Sequence, residues 1–173
     1  MVRKAEQKDI FPIAKLYDSV IDYQKENGSY MSWQKGVYPT AETAEIGFSL
    51  GTLYVFDEND KIEGSVILDC DQPDEYLSVE WQTESAPNKA LIIHTLCVDP
   101  DYMGMGVATE MLSFAKELAA SIGCTSIRLA TNSKNSGAIN LYQKNGFSIV
   151  GYGRVLLDSK IECPKQCFME YVI

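Results

Sequence analysis

The chain has a single histidine, His94, and two tryptophans in 173 residues. A structural zinc site needs about four thiolate or imidazole ligands. The five cysteines (Cys70, Cys97, Cys124, Cys163 and Cys167) are scattered, and the one close pair, Cys163 and Cys167, has the histidine only in a distant segment. No metal is therefore expected. The cysteine number is odd, and the opening Met1-Val2-Arg3-Lys4-Ala5-Glu6 leads into charge and not into an apolar stretch. No export signal is read there, and the thiols are expected to be reduced in a cytoplasmic protein. Long apolar runs are also missing. The longest aliphatic run is Ala90–Ile93, against the roughly 20 residues that a membrane span requires, so no membrane partner is expected. Positive charge is scarce, with 15 Lys and Arg against 24 Asp and Glu and a net charge of −9. This argues against nucleic acid as a partner, because its backbone calls for a basic footprint. An acidic balance suits a cationic small molecule, and it equally suits plain solubility.

What is present reads as one globular domain. Hydrophobic residues make up 46% and charged residues 23%, both near globular averages, which excludes a largely disordered chain. At this length about 70% of the unfolded surface can be buried, so no staple is needed.

Apolar residues at Ile10, Ile13, Ala14, Tyr17, Val20 and Ile21 share one helical face and predict a helix from about Asp9 to Glu26, ended by Asn27-Gly28. An irregular aromatic stretch follows, with Tyr30, Trp33 and Tyr38, then a second helix from a Thr40 cap to Leu50. Leu53–Phe56 and Ile62–Leu68 read as a hairpin, and residues 69–89 as a long polar loop with a short strand at Tyr76–Trp81. Leu91–Val98 is the strongest strand, apolar except at His94 and Thr95, as expected of a central strand. A helix over about Gly106–Ser121 then leads to a strand at Ser126–Ala130, and this crossover makes the two strands parallel. Ser136–Lys144 is helical, Phe147–Val150 is a strand continuing toward Leu157, and Phe168–Val172 is the last strand.

Two stretches carry chemistry. In Val98-Asp99-Pro100-Asp101-Tyr102-Met103-Gly104-Met105-Gly106-Val107-Ala108 a strand ends, a glycine loop follows and a helix begins. Glycines let several backbone N–H groups face one space, and the helix N-terminus adds its positive dipole end, which together suit a pyrophosphate. This is no P-loop, since neither Lys-Ser nor Lys-Thr follows Gly106, and Thr109 stands where a dinucleotide fingerprint has its third glycine. A tight strand-to-helix turn accounts for the same residues. In the second stretch, Asn135 to Phe147, Asn135 can cap the helix, and Ala138 and Tyr142 share a face. The Tyr142 hydroxyl is either an acid or the surface end of a packed ring.

The strand, glycine loop and helix of residues 91–121, then Ile127-Arg128-Leu129, then N-x-x-A-x-x-L-Y-x-K-x-G-F from Asn135, closely resemble the GNAT acetyltransferase superfamily. Val2-Arg3-Lys4-Ala5 and the helix after it are similar to that family's start. The resemblance implies an α+β fold in α/β/α layers: a twisted mixed sheet of six or seven strands with helices on both faces, and residues 1–173 as a single domain. It implies acetyl-CoA as cosubstrate, with direct transfer of the acetyl group to an amine. The pantetheine arm would meet backbone groups around Leu96, Cys97 and Val98. The pyrophosphate would sit on the amides of Met103, Gly104, Met105, Gly106, Val107, Ala108 and Thr109, although family members usually carry glutamine or arginine at the position of Met103. Asn135 and Ala138 would line the cofactor, and Tyr142 would protonate the departing thiolate.

With direct transfer, Leu96 N–H is the candidate donor to the developing oxyanion. His94 precedes Leu96 by two residues and is a candidate base, with Glu80 as runner-up; a hydrogen-bonded histidine beside the core is the alternative. Cys97 should point away from Leu96 and shows no paired base, so no nucleophilic role is assigned to it. The acceptor is expected near Trp33, Tyr38, Glu80 and Trp81, where aromatics can stack on an amine. Ordinary loop packing explains the same aromatics, and solvation explains Glu75, Glu80 and Glu84. The acceptor reads as a small-molecule amine. Acetylation of a protein N-terminus or lysine, and an acyl-CoA sensor without catalysis, stay open. A homodimer through Phe168–Val172 is a further expectation of the resemblance.

Overall fold

The computed structural model describes residues 1–28, 32–84, 86, 88–157 and 160–173; Tyr30, one of the aromatics noted above, lies outside them. Along the chain come β1 (Val2–Lys4), α1 (Ile10–Glu26), α2 (Ala41–Ser49), β2 (Leu53–Glu58), β3 (Lys61–Asp69) and β4 (Ala90–Val98). They are followed by α3 (Val107–Ser121), β5 (Ser126–Asn132), α4 (Ser136–Lys144), β6 (Ser148–Leu157) and β7 (Ile161–Val172). Hydrogen bonding orders the strands β1-β2-β3-β4-β5-β7-β6 in a seven-stranded mixed sheet. Contacts divide the chain into two compact units, Met1–Leu68 with His94–Phe114, and Asp69–Ile93 with Ala115–Ile173.

In the first unit β1, β2 and β3 pair antiparallel. The apolar face of α1 (Ile13, Leu16, Tyr17 and Val20) packs with Leu53, Val55 and Ile67 from the strands. Gly64 permits a close approach within this unit: a Cβ there would lie 2.9 Å from Met111 Sδ and 3.0 Å from the Cys97 carbonyl oxygen. Asp9 occupies the N-cap position of α1, but its carboxylate does not cap the helix. It accepts from Arg3 Nη1 at 2.6 Å and from Glu6 N–H at 2.7 Å, which ties β1 to the start of α1.

In the second unit β4 and β5 are parallel, as the crossover requires, and pair over Ala90↔Ser126 to Ile92↔Arg128. β7 then pairs antiparallel with β5 on one side and β6 on the other. On the β6 side this pairing reaches Glu170, and Phe168, Met169 and Glu170 are buried while Val172 is exposed. The expected strand at Tyr76–Trp81 is instead a 3-10 turn, Asp74–Ser78. Tyr76 enters the core with Ile92, Val155 and Phe168. Trp81 Nε1–H donates to the Tyr76 carbonyl at 2.9 Å, which closes the segment on itself. An ion pair is buried beside this turn. Arg128 of β5 donates to Glu170 of β7 at 3.0 Å, to Gln72 Oε1 at 2.7 Å and to the Thr83 carbonyl at 2.6 Å, and its guanidinium lies 4.5 Å from the Trp81 ring centre. No helix among the described residues is long and apolar enough to cross a membrane.

Candidate active site

The candidate residues are divided between the two units. In the first, β4 runs through His94–Val98. Thr95 adopts φ 50, a left-handed conformation that a β-branched residue rarely takes. Burial alternates through this bend. Thr95 and Cys97 are buried, while His94, Leu96 and Val98 are half-buried. The Tyr38 hydroxyl meets Thr95 Oγ1 at 2.9 Å, and the Trp33 ring stands edge-on to Tyr38 with centroids 6.5 Å apart. Two residues expected near the acceptor are thus brought to the strand that carries His94 and Leu96. Thr95 was not anticipated, because threonine carries no local signal for left-handed backbone.

Cys97 Sγ lies 3.3 Å from Ser65 Oγ, and burial pushes its pKa up to about 12. A buried thiol held protonated is a poor nucleophile.

Beyond β4, Asp99 closes a short 3-10 turn, Pro100–Tyr102, by accepting from Asp101 N–H at 3.0 Å. Gly104 and Gly106 have φ 80 and 93, which only glycine adopts readily, and a Cβ at either would meet no atom within 4 Å. The glycines therefore serve backbone direction and leave open space over the loop. Met103 N–H donates to the Pro100 carbonyl at 3.4 Å and Met105 N–H to the Tyr102 carbonyl at 3.2 Å, so these two amides close the loop itself. The first N–H groups of α3, on Val107, Ala108 and Thr109, have no intrahelical acceptor by helix geometry. This is a donor set that fits a pyrophosphate.

In the second unit Asn135 Oδ1 accepts from Ala138 N–H at 3.1 Å and caps α4. Tyr142 is buried, packs edge-on against Phe147 with centroids 5.7 Å apart, and has its pKa raised by burial. Glu80 is exposed and lines a cavity of about 680 Å³ together with Asp74, Glu75, Tyr152 and Arg154. The Trp81 ring packs against Tyr76 and Phe168, under Arg128. Among the described residues no group of His, Cys, Asp and Glu could hold a metal ion.

Comparison with known proteins gives the family. The model of the Acetyltransferase (GNAT) family matches residues 15–147. The chain belongs to this family of acyltransferase enzymes. It is 31% identical over 94 residues to an uncharacterized N-acetyltransferase of Methanocaldococcus jannaschii, a match covering 54% of this chain and 38% of that one. It is 36% identical over 78 residues to streptothricin acetyltransferase of Escherichia coli, covering 45% of each. The chain thus spans less than half the length of these curated relatives. The crystal structure of a GNAT-family acetyltransferase from Streptococcus agalactiae 2603 superposes with a TM-score of 0.79 at 17% identity, covering 100% of this chain and 95% of that one, which is a likeness of fold.

Proposed function

We propose that residues 1–173 form one acetyl-CoA-dependent N-acetyltransferase domain that passes the acetyl group directly to a primary amine of a small molecule. The observation that carries this reading is the passage from β4 into α3, where left-handed Gly104 and Gly106 leave open space at the first turn of a 15-residue helix. Acetyl-CoA, when bound, supplies the activated acetyl group. The amides of Gly104 and Gly106–Thr109 would hold its pyrophosphate, and Leu96 and Val98 would meet the pantetheine through their backbone. The Leu96 N–H would donate to the carbonyl oxygen as it gains charge. The attacking amine must shed a proton, and His94 or Glu80 would take it, directly or through water.

In the second unit, Asn135 and Ala138 would contact the pantetheine and Tyr142 the sulfur. Burial keeps the Tyr142 phenol protonated at neutral pH. Its hydroxyl would donate to the departing sulfur and protonate it as it leaves.

Two observations support a small cationic acceptor. The Escherichia coli relative is named for streptothricin, and the cavity beside Glu80 sets Asp74 and Glu75 against Arg154. Carboxylates lining a cleft concentrate cations there. The test is CoA release from acetyl-CoA against polyamines, amino acids, aminoglycosides and short peptides, with products identified by mass spectrometry. One small amine gaining one acetyl group is expected, with turnover lowered about 10- to 100-fold in Tyr142→Phe. Acetylation of the peptides alone would replace the small-molecule acceptor. Acetyl-CoA bound without release of CoA would replace the enzyme by a sensor.

A further inference from the structure

We propose that Tyr38 is a positioning residue for acyl transfer: its hydroxyl holds Thr95 in the left-handed bend of β4 and thereby sets where the Leu96 N–H is aimed. The inference rests on the reading of β4 as the acyl-transfer strand. The peptide unit between residues 95 and 96 contains both the Thr95 carbonyl and the Leu96 N–H, so its direction follows from the backbone angles of Thr95. At φ 50 those angles lie where a β-branched residue is strained. Such conformations persist only where the surroundings over-determine them.

Tyr38 supplies a fixed point for that purpose. Its backbone exchanges hydrogen bonds with Gln34, N–H to carbonyl in both directions at 2.9 Å, and Val37 N–H closes the same turn onto the Gln34 carbonyl at 2.9 Å. Trp33 stands against its ring at an interplanar angle of 83°. The hydroxyl so held meets Thr95 Oγ1 at 2.9 Å, and Thr95 is 8% exposed, which leaves water little room to take over the contact. Ser65 Oγ, by contrast, lies 3.3 Å from the Cys97 thiol. Without the Tyr38 hydroxyl, Thr95 is free to relax toward extended backbone, and the 95–96 peptide turns with it.

Tyr38→Phe and Thr95→Val remove the two ends of this hydrogen bond with little change of volume. Each should lower kcat about 10- to 100-fold, the scale of a misaimed donor, and leave the KM for acetyl-CoA within about twofold. The double variant should be no slower than the slower single variant, because one contact has been removed twice. Thr95→Ser keeps the hydroxyl and should keep kcat. Full kcat in Tyr38→Phe, or losses that multiply in the double variant, would overturn the proposal. So would an effect on the KM for the amine alone, which would make Tyr38 a direct acceptor contact. A second readout needs no turnover: the 13Cα and 13Cβ shifts of Thr95 should leave their left-handed values in Tyr38→Phe, and unchanged shifts would overturn the brace. A wild-type protein that acetylates no amine would defeat the functional reading, while the Thr95 shifts would still decide this one.

Discussion

Replacing Glu170 by leucine removes one end of the ion pair buried in the second unit and leaves the other end in place. Glu170 is 1% exposed and Arg128 3%. The carboxylate accepts from Arg128 Nε at 3.0 Å, from Thr83 Oγ1 at 2.6 Å and from Gln82 N–H at 2.6 Å. Its loss leaves the buried guanidinium charge without its carboxylate and takes the acceptor from three further donors, Gln82 N–H, Thr83 N–H and Thr83 Oγ1–H. Breaking a buried pair in this way costs about 3–5 kcal/mol. With a urea m-value of about 2 kcal/mol/M for a protein of this size, the midpoint should fall by about 1.5–2.5 M. Replacing both partners, Arg128→Met with Glu170→Leu, removes the uncompensated charge and should recover at least about 1 kcal/mol of that loss. The assay is urea unfolding followed by circular dichroism on the wild type, the two single variants and the double. A midpoint shift below about 0.5 M in Glu170→Leu, or additive shifts in the double variant, would refute the reasoning that each buried charge depends on the other.

Three further outcomes are expected. Burial pushes the Asp9 carboxyl up, but the hydrogen bonds from Arg3 and Glu6 N–H and the Arg3 charge outweigh it and hold the pKa below its ordinary value. A depressed folded pKa gives stability that is full above the unfolded value of about 3.9 and is lost as the pH falls through the folded one; urea midpoints should therefore drop more steeply below about pH 4 in the wild type than in Asp9→Asn. Gly106→Ala puts a Cβ on backbone at φ 93, which should cost about 1–2 kcal/mol and weaken acetyl-CoA binding measured by calorimetry; unchanged affinity would remove this loop from the cofactor seat. His94→Gln should lower turnover at least roughly tenfold near pH 7, and an unchanged rate and pH profile would remove His94 from the mechanism.

The elements legible in the sequence are those whose residues repeat one environment over several turns or alternations. The stripe of Ile10, Ile13, Tyr17 and Val20 and the apolar run of β4 announce themselves because each residue meets the same core. β1 does not, since three residues give no period; it exists because Val2–Lys4 pairs with Tyr54–Phe56. The first half of β7 was hidden by Pro164 and its charged neighbours. Pro164 is tolerated there because pairing with β6 shifts register between Gly153 and Val155, so the missing N–H falls at an irregular point. Trp81 looks like an acceptor-side aromatic along the chain, and only the fold shows its ring packed with Tyr76 and Phe168. In the candidate site, the glycine loop and the Asn135 cap were readable because glycine and asparagine have conformational uses of their own. The Thr95 bend and its bond to Tyr38 join residues 57 positions apart, and no local pattern marks either.

The placement of β7 also governs the order in which the second unit can be completed during synthesis. β5 and β6 are both made before β7, yet neither borders the other in the sheet, because β7 lies between them. Until residues 161–172 have left the ribosome, the β7-facing edges of β5 and β6 lack their partner, and Arg128 lacks Glu170. At about 5–20 residues per second the wait is short. During it, nascent chains carry two unsatisfied strand edges, a template for pairing with one another. A chaperone that holds β6 aside, or a slow stretch of codons before residue 161, would act on this one insertion step.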